Sequence, residues 1–150
     1  MNPKRFVWVV VLALFITAAV ILWPLALRAY AIEQVELAKQ AGVYASPEDG
    51  MRNMIEGHYR GIERIVIDHA GPNSTQRQPH VWFVSARVYA FERADGKRIA
   101  AGDYDYPGSY FLHVDDGWIH IPEGAFPELI GSTIERFELY GCDQTEGNCS

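Results

Sequence analysis

Little in this chain marks a familiar catalyst. It has no Gly-x-Ser-x-Gly, no phosphate-cradling glycine loop and no close pairing of histidine with cysteine, so the usual sequence grounds for a nucleophilic hydrolase are missing. Cysteine is scarce too. Cys142 and Cys149 are the only two, and they lack the close spacing and the extra ligands of a structural zinc site. Basic residues are few after Arg28: ten, against nineteen acidic ones, for a net charge of 10 − 19 = −9 on that part of the chain. Such a surface repels nucleic-acid phosphates and anionic lipid, and it argues against both nucleic acid and a second, peripheral membrane contact. A neutral or cationic partner fits better.

Charge is absent altogether from Phe6 to Leu27, where only Thr17 and Pro24 interrupt an apolar run. Helical rise gives this run a length of roughly 33 Å, enough to cross a hydrocarbon layer of about 30 Å. Trp8 and Trp23 stand near its ends, at the level amphipathic rings favour. Lys4 and Arg5 precede the run, whereas Arg28 and Lys39 are diluted by Glu33 and Glu36 after it. This bias predicts residues 1–5 as a cytoplasmic tip, 6–27 as a single transmembrane helix and the rest as extracytoplasmic. The alternative is a cleaved signal peptide, with Ala29-Tyr30-Ala31 before the cut and a secreted product. The run is longer than an ordinary signal core, and Arg28 sits close to that cut.

An exported location makes Cys142 and Cys149 candidates for a disulfide closing a small loop in the tail, residues 142–150. Asn73-Ser74-Thr75 matches the glycosylation sequon within Gly71 to Pro79, a stretch polar enough to predict a surface loop.

Residues 28–45 read as a helical stalk leaning on the domain through Ile32, Val35 and Leu37, with Gly42 as its stop. A globular domain follows over 46–141. Ser46-Pro47-Glu48-Asp49 starts a helix, and Met51, Met54, Ile55 and Tyr59 give it an apolar face. Ile62 to His69 is a strand. His80 to Arg93 is another, with Trp82, Val84, Ala86, Val88 and Ala90 on one side and Phe83, Ser85, Arg87, Tyr89 and Phe91 on the other. Ala94-Asp95-Gly96 suits a three-residue hairpin that sets Ala86 opposite Tyr104 and Val84 opposite Tyr106. Pro107-Gly108 should bend or bulge the third strand. Asp116-Gly117 reads as a two-residue turn into Trp118 to Pro122, and Phe126-Pro127-Glu128 opens a closing helix with Leu129, Ile130, Ile134 or Thr133, Phe137 and Tyr140 as its buried stripe.

The predicted class is α+β: a helix, a four-stranded antiparallel β-meander and a C-terminal helix, with the helices on one face of a curled sheet. In element order residues 46–122 resemble the cystatin-like and NTF2-like rolls. That resemblance is one of architecture, with no family motif, and it implies neither binding nor catalysis.

A turn at Asp116-Gly117 would set His113 directly across from His120, with Asp115 or Asp105 within reach as a third ligand. His113, His120 and Asp115 are thus the candidate ligand or metal residues, set against an ordinary half-exposed sheet face. Phe83, Tyr89, Phe91 and Trp118 form a candidate interaction face. Asp68 and His69 point to opposite sides of their strand and cannot pair by themselves. Asp103, Asp105, Asp115 and Asp116 lack the spacing of an EF-hand loop. The sequence therefore points to a non-catalytic, single-pass membrane-anchored domain that binds an unknown protein or small-molecule partner, without a cofactor. The alternatives are a small enzyme or ligand-binding domain using the concave sheet face, lined by His69, His113, His120, Tyr104 or Tyr106, and a structural piece of a larger membrane complex.

Overall fold

The computed structural model describes residues 3–73 and 78–137. Cys142, Cys149, Tyr140 and Gly141 lie outside the described residues. A helix, α1 (Pro3–Ala41), leads into a two-residue strand, β1 (Val43–Tyr44), and a second helix, α2 (Pro47–His58). Four long or medium strands follow: β2 (Tyr59–Asn73), β3 (Gln78–Arg93), β4 (Arg98–Val114) and β5 (Gly117–Ile121). A 3-10 turn, Glu123–Ala125, then precedes α3 (Pro127–Arg136).

All five strands join one antiparallel half-barrel sheet in the order β1-β5-β4-β3-β2. This corrects the expected four-stranded meander and its likeness to the cystatin and NTF2 rolls. Two residues of β1, Val43 and Tyr44, pair with Ile119 and Trp118, a strand too short for any periodicity to announce. The helices also differ from expectation, because they cover both faces of the sheet. On one face, Ala31 and Ala38 of α1 and Ile130 and Ile134 of α3 bury Val81, Leu112, Val114, Ile119 and Ile121. On the other, Met51 and Ile55 of α2 bury Val84, Ala86, Val88, Ala90, Tyr106 and Phe111.

Helix α2 forms as its sequence predicts. Ser46 accepts from the Asp49 amide at 3.1 Å, Pro47 occupies the first turn, and the acids Glu48 and Asp49 sit at the positive end of the helix dipole. Its approach to the sheet is close. A Cβ on Gly50 would stand 2.4 Å from the Phe111 ring and 2.9 Å from that of Tyr44, so only glycine lets this turn settle.

The strand registers explain how the sheet curves. Hairpin β3–β4 turns through Ala94-Asp95-Gly96 with Gly96 left-handed (φ 81), and Arg93 donates to the Lys97 carbonyl at 3.0 Å. Beyond it an irregularity between Ala90 and Glu92 slips the register by two residues, so Ala86 faces Tyr106 and Val88 faces Tyr104, in place of the expected Ala86–Tyr104 pair. An even slip leaves both tyrosines on the α2 side. The next irregularity falls at Pro107-Gly108, where Tyr106 pairs Ala86 and Ser109 pairs Val84. One extra residue there reverses the facing of everything after it, so Tyr106 and Phe111 share a face.

The β4–β5 turn is Asp115-Asp116, with Val114 paired to Gly117, one position earlier than expected. Gly117 serves a different purpose. A Cβ there would lie 2.6 Å from the Tyr44 carbonyl oxygen, so its bareness admits β1. The stretch expected as a loop, Gly71 to Pro79, is also partly strand, with Pro72 paired to Trp82 and Asn73 to Gln78. In α3, Leu129 is exposed, while Ile130, Gly131, Thr133 and Ile134 are buried.

Two glycines of α2 give a test with opposite signs. Alanine exceeds glycine in helix propensity by about 1 kcal/mol, and Gly57 has nothing near its Cβ position. Gly57→Ala is therefore expected to stabilise the fold. Gly50→Ala is expected to destabilise it by about 1–3 kcal/mol through overpacking. Denaturant midpoints of the two variants check this, and equal shifts would contradict the packing described.

Candidate ligand cleft

The C-terminal end of α2, the middle of β4 and the segment after β5 surround an open cleft of about 640 Å³. Its wall carries His58, Tyr59, Tyr104, Tyr106 and His120, with Arg93 and Glu123 at its margins. Each side chain arrives by a local rule. His58 lies one turn after Met54 on the apolar stripe of α2, and Tyr59 is the extended residue that ends the helix. Tyr104 and Tyr106 alternate on β4, and the reversal at Pro107-Gly108 brings His120, through its partner Phe111, onto their side of the sheet.

The rings form a connected set. Tyr59 stacks on Tyr104 at 6.4 Å between centroids and meets Tyr106 edge-on at the same distance. His58 meets Tyr106 edge-on at 5.6 Å. The Nδ1 atom of His58 lies 2.9 Å from the Met54 carbonyl oxygen and 3.0 Å from the Tyr106 hydroxyl. When Nδ1 carries the proton, it donates to that carbonyl and frees the Tyr106 hydroxyl to donate into the cleft; in the other tautomer Tyr106 donates to Nδ1. Tyr104 in turn donates its hydroxyl to the Ala100 carbonyl, which leaves its ring face to the cleft.

Burial governs protonation here. It raises the Tyr106 phenol above its ordinary value, with Tyr59 adding to the shift, so this group stays neutral and remains a donor. It lowers the His120 imidazole, which is then uncharged near neutral pH. The cleft thus presents aromatic faces, a neutral phenol, a neutral imidazole and one charged side chain of each sign, Arg93 and Glu123. Such a lining can hold an uncharged or cationic molecule by stacking and hydrogen bonds.

The expected residues scatter around this site. Tyr104, Tyr106 and His120 line the cleft, whereas His69 lies exposed on β2 beside Phe83. His113 faces Trp118, and His120 faces Phe111, so the two imidazoles are diagonal neighbours, a placement that separates such positions by about 7–8 Å. Each packs on an aromatic ring, His113 on Trp118 at 4.8 Å and His120 on Phe111 at 5.5 Å. Asp115 is exposed in the turn, and Asp105 faces Arg87 on the opposite side of the sheet. Among the described residues no group of three His, Cys, Asp or Glu is arranged to hold a metal ion.

The outer face carries ion pairs and glycine-filling aromatics. Arg87 donates to Asp68 at 2.7 Å and holds that carboxyl below its ordinary value, and Arg64 pairs with Asp103 at 3.2 Å. Phe83 covers Gly108 and Phe91 covers Gly61, each ring filling the space a Cβ would take. Tyr89 sits beside Arg64, while Trp118 is on the other face against Trp82 at 5.2 Å. Asn73 is buried and donates to Glu128 Oε1 at 2.7 Å, an unfavourable setting for glycosylation.

His58 and Glu123 escaped the sequence patterns. A helix-face reading that extended Met51, Met54 and Ile55 by one more turn would have reached His58; nothing local marks Glu123. The chain matches no family model, no curated protein and no solved structure.

Three histidines share the inner side of the sheet and the same shift. Burial lowers His80, His113 and His120; His80 further lowers His113, while Glu135 and Asp115 partly oppose the shifts of His80 and His113 respectively. The unfolded chain therefore takes up protons first as pH falls. Their stabilisation is complete above the ordinary imidazole value of about 6.5 and is lost as pH drops through the lower folded values. The thermal midpoint is expected to fall between pH 7 and 5, well above the range where Asp68 titrates, and less steeply in His120→Gln. A flat profile over that interval would contradict the burial of these rings.

Proposed function

We propose that this protein is a single-pass membrane-anchored binding module whose aromatic cleft takes a small neutral or cationic ligand at the extracytoplasmic face. Helix α1 is long and apolar enough to cross a membrane, a property that signal segments near an N-terminus share. Retention is supported by the residues just beyond the apolar run. Ala31 is buried in the core, and the Tyr30 hydroxyl donates to the Ala125 carbonyl at 3.0 Å. Cleavage after Ala31 would strip both from the domain and cut a continuous helix. The basic residues Lys4 and Arg5 support a cytosolic N-terminus.

The observation that carries the binding role is the gathering of Tyr59, Tyr104, Tyr106, His58 and His120 around one opening. A binding role draws on this chemistry, since the neutral Tyr106 phenol and the neutral His120 imidazole offer hydrogen bonds beside the aromatic faces. The net charge of −9 beyond residue 28 favours cations over anions.

The test is a thermal-shift series on the full chain in detergent, using quaternary ammonium compounds, amines and neutral ring-bearing metabolites. A ligand at a hundred times its Kd stabilises by about 2.7 kcal/mol. We expect at least one class to raise the midpoint and Tyr59→Ala or Tyr104→Ala to abolish the rise. Absence of any response, or a response that survives both substitutions, would refute the cleft. A reporter active only outside the cytosol, fused after Ser150, is expected to be active; an inactive one would refute the orientation.

A further inference from the structure

Resting on the reading that residues 6–27 span the bilayer, we infer that the turn entering α3 is a second membrane contact, with Phe126 and Leu129 seated in the headgroup layer of the leaflet from which α1 emerges. Tyr30 follows Leu27, the end of the uncharged run, by three positions, about 4.5 Å of helical rise. Its side chain leans back towards the helix N-terminus, as all helical side chains do, and there its hydroxyl meets the Ala125 carbonyl. The far end of α3 is tied to the same turn of α1, since the Arg28 guanidinium lies 5.7 Å from the centre of the Phe137 ring. Side chains at both ends of α3 thus reach the turn of α1 that follows the apolar run. Headgroups extend about 5 to 8 Å beyond the hydrocarbon boundary on each side. With α1 near the membrane normal, Phe126, adjacent to Ala125, falls inside that layer.

The residues at this place suit lipid. Phe126 is 63% exposed and Leu129 is 39% exposed, three positions apart on the open side of the turn and helix. Phe126 also has a left-handed backbone (φ 56, ψ 65), a conformation that costs a side-chain-bearing residue on the order of 1–2 kcal/mol. An exposed aromatic held at that cost gains nothing from water. Glu123 and Glu128 flank it, so zwitterionic lipid is the occupant the charges permit; the net negative charge that argued against a second membrane contact opposes anionic lipid alone.

The experiment uses the full chain with Cys142→Ser and Cys149→Ser, reconstituted in phosphatidylcholine vesicles. A nitroxide is attached in turn at Phe126→Cys, Leu129→Cys, Asp115→Cys and Leu14→Cys, and collision with oxygen is compared with collision with a water-soluble nickel chelate. The oxygen-to-nickel ratio is expected to be several-fold higher at 126 and 129 than at 115, and highest at 14. Adding Phe126→Asp to the 129-labelled chain is expected to return its ratio to the 115 value. Ratios at 126 and 129 equal to that at 115, with 14 in lipid, would overturn the contact and leave the span intact. A water-exposed label at 14 would overturn both.

Discussion

One helix carries both the long apolar run and a wall of the domain. From Val7 to Leu27 its side chains are uncharged and nearly all exposed, a length and composition that a membrane span shares with a signal segment, and from Tyr30 onward the same helix packs on the domain. The change depends on small residues. Ala31 and Ala38, seven apart and both buried, form a shallow strip on which Ile130 and Ile134 of α3 and the edge of the sheet can close. Fixing the domain to the helix this soon after the apolar run leaves no slack stalk, so the position of α1 dictates the position of everything else.

The sheet gathers the cleft by its irregularities. A regular strand would put Tyr104 and Tyr106 on the side opposite Phe111 and His113, because alternate residues face alternate ways. The extra residue at Pro107-Gly108 cancels that alternation, and the bend it brings is filled by Phe83 lying over Gly108. Tyr59, at the end of α2, then closes the set from above. Burial keeps the Tyr106 and His120 groups uncharged, so each can exchange hydrogen bonds with a molecule in the cleft.

Sequence made some of this legible and hid the rest for physical reasons. The cap of α2, the two sides of β3 and the bulge at Pro107-Gly108 were readable because each is set by neighbours in the chain. The partner of His120 was not, since the Asp115-Asp116-Gly117 stretch admits two turns, and the one adopted sets Gly117 beside Tyr44, more than seventy residues away in the chain. Strand β1 was invisible for the same reason. The helices on both faces were hidden because two apolar sets on β3 to β5, one led by Leu112 and one by Phe111, look like a single alternating strand pattern until the bulge separates them. Tyr104, Tyr106 and His120 could be read from the strand pattern as lining a concave face, whereas His58 joins them only through the fold.

Whether α1 is a lasting part of the molecule decides the account. Intact mass of the protein extracted from membranes measures it directly. The mass is expected to include the residues ahead of Ala31. A mature chain beginning at Ile32 would contradict it, because the domain would then hold together without the Tyr30 and Ala31 contacts that fix it to the apolar run.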